Sequence, residues 1–131
     1  MLSVAYLDSS ALVKLVAAEP ESWVLGDFVR NRQVVSSDIA RVELPRSVRR
    51  LGLGDAAVSR TDEVLRRITL LKLERTVLTR AAELEPVELR SLDAIHLASA
   101  LSVSELEAFV TYDRRLAAAA ENAGLGVMAP A

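Results

Sequence analysis

The chain has 131 residues, 51% of them hydrophobic and 26% charged, with a net charge of −2 at pH 7 and no cysteine. That length buries a core without staples, and the missing cysteine excludes disulfides, thiolate metal sites and thiol redox chemistry. No apolar run approaches the roughly 18 residues of a membrane span, and no basic segment precedes the first apolar run. A cytoplasmic protein with no membrane association is expected.

Strands alternate with helices along the chain. Leu2 to Leu7 is short and apolar, which predicts a buried parallel strand. Ser9 or Ser10 is placed to cap a helix through Ala11 to Val16. Glu19-Pro20-Glu21 breaks it, and Pro20 suits the first turn of a second helix, Glu21 to about Arg30, with Trp23, Val24, Phe28 and Leu25 as its apolar stripe. Gln33 to Ser36 reads as a strand, after which Ser37 or Asp38 caps a helix to about Leu51. Leu44, Val48 and Leu51 recur on that helix at i, i+4 and i+7 and mark its core face. Gly52 and Gly54 end it.

Asp55 to Arg67 is amphipathic, with Ala57, Val58, Val64, Leu65 and then Ile68 apolar, and Thr69 to Leu73 predicts a third strand. A helix over Thr76 to Leu84 stops near Pro86. Ser91 caps a helix from Leu92 to about Ser102, and Ala108 to Tyr112 forms a strand ending at Asp113. Arg114 to Glu121 is helical, Gly124 closes it, and Gly126 to Ala129 is a last short strand. The alternation argues for one α/β domain with a mostly parallel sheet.

Four acids, Asp8, Glu43, Asp93 and Asp113, lie at the ends or starts of these segments. Ligands bind at the carboxyl ends of the strands in an open parallel sheet, so Asp8 and Asp113 fall on one rim. Carboxylates gathered there repel unless a hard cation neutralises them. Each acid also has a purely structural reading. Asp8 and Asp113 suit helix caps, Glu43 can pair with Arg46 or Ser47, and Asp93 favours a helix dipole by ~0.3–1 kcal/mol. A zinc site is disfavoured by one His and no Cys.

All but two of the 16 basic residues are Arg, and Arg41, Arg46, Arg49 and Arg50 fall in one stretch. Guanidinium groups suit bidentate phosphate contact, and a solvated helix face explains the same cluster. His96, three residues after Asp93, shares its helix side; a satisfied, partly buried histidine is expected rather than a catalytic one. Tyr6, Tyr112 and Trp23 are expected to pack in the core rather than to stack on bases.

The ordered segments Tyr6-Leu7-Asp8-Ser9-Ser10-Ala11-Leu12-Val13-Lys14, Glu43 on a mid-chain helix, Arg90-Ser91-Leu92-Asp93-Ala94-Ile95-His96-Leu97-Ala98 and Val110-Thr111-Tyr112-Asp113-Arg114-Arg115-Leu116 resemble a PIN-domain ribonuclease. In particular they resemble a VapC-type toxin of a type II toxin-antitoxin system. The resemblance covers residues 1–131 and implies a three-layer α/β/α sandwich with a mostly parallel central sheet. It implies a magnesium-dependent endoribonuclease, with Mn²⁺ as a substitute, whose metal-binding acids are Asp8, Glu43, Asp93 and Asp113. Asp8 and Asp93 are the expected direct ligands. Ser9 and Thr111 are expected to support the site, and Arg46 and Arg50 to contact RNA phosphates. The implied partners are an RNA substrate, a cognate antitoxin whose tail lies near the acids, and a second copy in a homodimer.

Other classes fit less well. A housekeeping PIN nuclease has the same residues, and a non-catalytic metal- or RNA-binding module would not need four intact acids. A phosphoacceptor domain wants adjacent acids after the first strand, where Ser9 and Ser10 stand instead. A P-loop enzyme is excluded because no Gly-rich phosphate loop exists.

Overall fold

A computed structural model describes all 131 residues, Met1 to Ala131. Five strands, β1 (Ser3–Leu7), β2 (Arg32–Ser37), β3 (Thr69–Leu71), β4 (Leu106–Val110) and β5 (Val127–Met128), form one sheet in the order β3-β2-β1-β4-β5. Every pairing is parallel. Seven helices connect or flank them: α1 (Ser9–Val16), α2 (Ser22–Val29), α3 (Ala40–Leu51), α4 (Asp55–Arg67), α5 (Arg75–Glu83), α6 (Ser91–Leu101) and α7 (Arg114–Asn122).

Successive side chains of a strand point to opposite faces, and that alternation builds the layers. Ala5 and Leu7 of β1, with Ala108 and Val110 of β4, pack under Leu12 and Val16 of α1, Leu25 of α2, Leu44 and Val48 of α3 and Ala57 of α4. Tyr6 and Phe109 turn to the other face, against Leu97 of α6 and Leu116 and Ala120 of α7. Their rings stack 5.4 Å apart. Helix α5 joins that layer through Val77 and Ala81, which meet Ala94 and Ala98 of α6. The result is the expected α/β/α sandwich. Each fully buried leucine in it contributes about 1.5–3 kcal/mol.

The termini of several elements differ from the sequence reading. Asp8 itself caps α1, its side chain accepting from the Ala11 N–H at 3.0 Å; the serines expected there lie inside the helix. Asp outranks them because its charged oxygen also meets the helix dipole. Ser91 is the first residue of α6, with Arg90 at the cap position and no side-chain bond. In front of α3 the cap position falls to Ile39, because the Asp38 carboxylate is drawn to Arg41 at 2.6 Å.

Four expected core residues are exposed. Leu51 is the last residue of α3, and Gly52 then takes φ +64°, a left-handed turn that carries the chain away from the core. On α2 the buried residue is Leu25, while Trp23 is 77% exposed and Val24 is exposed with it; the main neighbours of this short helix are α1 and β2. Val58 of α4 is exposed next to buried Ala57. Strand β3 stops at Leu71, since as an edge strand it pairs only with Val35 to Ser37 of β2.

Candidate active site at the C-terminal rim of the sheet

From β1 the chain steps outward to β2 and β3 on one side, and β4 and β5 lie on the other. The order reverses between β1 and β4, which makes their carboxyl ends a topological switch point. Leu7 pairs with Val110 there, so the next residues of each strand, Asp8 and Thr111, emerge side by side.

Asp8 is 2% exposed. Its Oδ1 accepts from the Ser10 hydroxyl at 2.7 Å and from the Ala11 N–H at 3.0 Å. Its Oδ2 accepts from the Thr111 hydroxyl at 2.6 Å. Ser10 and Thr111 are themselves fixed, because their oxygens accept the backbone N–H groups of Tyr112 and Asp113 at 3.0 and 3.1 Å. Burial pushes the Asp8 carboxyl above its ordinary range, against the pull of these hydrogen bonds. A carboxylate has about four acceptor positions, so one on Oδ2 stays open.

Asp93 and Asp113 stand at the first turns of α6 and α7. Burial, then the charges of Asp113 and Asp8, raise the Asp93 carboxyl. Asp93 is thus within electrostatic reach of both Asp8 and Asp113. Asp113 also caps α7, its Oδ1 accepting from Arg115 and Leu116 N–H at 2.9 and 3.0 Å. Asp93 and Asp113 line a cleft of about 640 Å³ together with Arg90, Arg114 and Arg115. None of those three arginines is in an ion pair.

Glu43 reaches neither Arg46 nor Ser47. Its Oε1 lies 2.7 Å from Nε2 of His96, and His96 Nδ1 lies 2.7 Å from the Tyr6 hydroxyl. His96 is fully buried, deeper than the sequence reading expected, and Tyr6 is core as expected. Arg46, Arg49 and Arg50 line a shallow recess of about 350 Å³ on α3.

The sequence-predicted site residues therefore divide. Asp8 lies at the rim, Asp93 is in electrostatic reach of it and of Asp113, Thr111 donates to Asp8, and Glu43 bonds to His96. Ser9 makes no hydrogen bond with Asp8; Ser10 does. In the first turn of a helix capped by Asp8, the residue two places on can turn its hydroxyl back to the cap, and that spacing was the available signal. No three His, Asp or Glu side chains meet in a metal-holding group. The donor chemistry nonetheless suits a hard cation, being all carboxylate oxygen with one acid destabilised by its neighbours' charge. Water or substrate oxygens would have to fill the rest of the coordination shell.

Comparison with known proteins places these observations. The PIN domain family matches residues 5–122. The chain is 43% identical to Ribonuclease VapC46 of Mycobacterium tuberculosis, covering 98% of this chain and 99% of that one. Among solved structures, VapC20 of Mycobacterium tuberculosis, described as a sarcin-ricin loop cleaving toxin, superposes with a TM-score of 0.74 at 16% identity, over 96% of this chain and 99% of that one. VapBC2 from Rickettsia felis, bound to a DNA fragment from their promoter, gives 0.73 at 14% identity, over 98% and 99%.

Proposed function

Because the chain belongs to the PIN-domain family, as a VapC-type member, we propose that it is a magnesium-dependent endoribonuclease and the toxin of a toxin-antitoxin pair. The observation that carries this reading is the buried, triply hydrogen-bonded Asp8 at the switch point, with Asp93 in electrostatic reach of it and of Asp113. Such a carboxylate is oriented before any ligand arrives. A bound Mg²⁺, or Mn²⁺ in its place, would activate water and stabilise charge on the scissile phosphate. Asp8 and Asp93 are the residues proposed to hold it, with Asp113 and Glu43 fixing its waters.

The arginines offset the repulsion that this acidic rim exerts on an RNA backbone. Arg90, Arg114 and Arg115 lie in the cleft beside Asp93 and Asp113, and Arg46 and Arg50 lie one and two turns beyond Glu43 on α3. Phosphate contacts of this kind position a substrate without reading its sequence. Cognate antitoxin is the proposed protein partner, and the exposed Trp23 and Val24 of α2 are the proposed apolar contacts of a homodimer. No helix is long and apolar enough to cross a membrane, and action on cytoplasmic RNA is proposed.

The test is cleavage of total cellular RNA by the intact protein and by Asp93→Asn. Discrete fragments that require Mg²⁺ or Mn²⁺ and disappear in the variant are expected. Equal cleavage by both proteins removes Asp93 from the chemistry, and no cleavage by folded protein favours an RNA-binding module.

A further inference from the structure

The line Tyr6–His96–Glu43 runs from the core outward and joins the two helix layers. Tyr6 sits on β1, His96 on α6 and Glu43 on α3, so the imidazole ties an acid on one layer to a helix of the other. Both of its contacts are 2.7 Å, and its exposure is zero. Only one assignment of protons satisfies both bonds with a neutral ring. The phenol carries a proton at neutral pH, and burial raises it further. If Nδ1–H donated to Tyr6, bare Nε2 would face the Glu43 carboxylate, two acceptors 2.7 Å apart. In a neutral ring Tyr6 therefore donates to Nδ1, and in a neutral or a charged ring Nε2–H donates to Glu43.

We infer that His96 is a positioning residue: through Nε2–H it fixes the Glu43 carboxylate for the metal-dependent cleavage proposed above, with Tyr6 anchoring the ring from the core. The inference rests on that ribonuclease reading for its kinetic consequence, and on the geometry alone for the proton. A carboxylate on a long side chain has several rotamers, and Glu43 is nearly buried with one oxygen held. Releasing it moves a charge by an ångström or more, a displacement that costs about 10²-fold in rate. Phosphate binding is left to the arginines, so affinity for RNA is untouched.

His96 is the one histidine of the chain, so its imidazole ¹⁵N spectrum needs no assignment. In the intact protein near pH 7 that spectrum should show a protonated Nε2. Nε2 without a proton overturns the inference whether or not the protein cleaves RNA. In kinetics, His96→Leu should lower kcat about 10²-fold with KM within about threefold. His96→Gln, whose amide can still donate to Glu43, should recover most of that loss. Adding His96→Leu to Glu43→Ala should cost less than about threefold more, because both remove the same function. A purely structural role predicts independent, multiplicative losses and no recovery by Gln, and either result overturns the inference. If His96→Leu does not fold, Tyr6→Phe keeps the ring and removes only its anchor. It should then lower kcat about tenfold and mix the two tautomers, and an unchanged rate and spectrum in that variant is the refuting result.

Discussion

Thr111→Val removes one hydroxyl while keeping the shape of the side chain, and with it go a long 3.4 Å contact to the Ser10 hydroxyl and two shorter bonds. The first is donation to Asp8 Oδ2 at 2.6 Å, a bond to a buried carboxylate worth about 1.5–3 kcal/mol. The second is acceptance from the Asp113 N–H at 3.1 Å, worth about 0.5–1.5 kcal/mol. Thr111 is 1% exposed, so water cannot stand in for the lost hydroxyl. The expected cost is about 2–4.5 kcal/mol, a large share of the ~5–15 kcal/mol that a domain has. The assay is urea unfolding followed by circular dichroism, with Thr111→Ser as the control that keeps the hydroxyl. The loss should also depend on pH. The Thr111 bond favours the charged Asp8, so without it the folded carboxyl rises further above its unfolded value. A group with a raised folded pKa contributes stability below its unfolded pKa and loses it as pH rises through the folded one. The deficit of Thr111→Val must therefore be smallest in acid and grow toward neutrality. A deficit under 0.5 kcal/mol at pH 7, or one independent of pH, refutes the assignment of this hydroxyl to Asp8.

Three more outcomes follow from the same rim. Asp8→Asn should abolish RNA cleavage and raise thermal stability at pH 7, because a buried charge is removed while Ser10 and Ala11 keep their acceptor; calorimetry showing a lower melting temperature contradicts this. Mg²⁺ or Mn²⁺ at a hundredfold excess over its dissociation constant should stabilise the intact protein by about 2.7 kcal/mol and Asp93→Asn by far less. Replacing Arg46 and Arg50 together by Ala should weaken RNA binding and lower the slope of log affinity against log salt by about 1.4, read by fluorescence anisotropy. An unchanged slope returns the α3 arginines to solvent.

The alternation of strands and helices was legible because period-2 and period-3.6 patterns report burial, and burial is what the sandwich is made of. The α/β class, the mostly parallel sheet and the helix Asp55–Arg67 follow from that pattern, the end of α3 from Gly52, and the three layers from the family resemblance. The rim acids were legible as residues that follow strands or open helices. Contacts between distant segments were not. Nothing in the spacing of Glu43 and His96 says they meet, since they lie 53 residues apart on helices of opposite layers. Ser10 was mistaken for a cap because a serine before an apolar helix usually is one. Trp23 was misplaced because an apolar side chain signals a core only when another element covers it, and no periodicity reports whether one does.

The Asp8–Thr111 bond spans 103 residues. Strand β1 forms its central pairing with β4, so the first acid stands early in the chain while its donor, and the acids Asp93 and Asp113, stand far downstream. At synthesis rates of about 5–20 residues per second, Asp8 waits about 5–20 s for Thr111 to be made. Throughout that interval a nascent chain lacks the hydroxyl that orients Asp8 and the Asp113 carboxylate, and for most of it Asp93 as well. For a chain proposed to cut RNA, parallel topology thus delays arming: Asp8 cannot take its working orientation until β4 and the residue after it have been made.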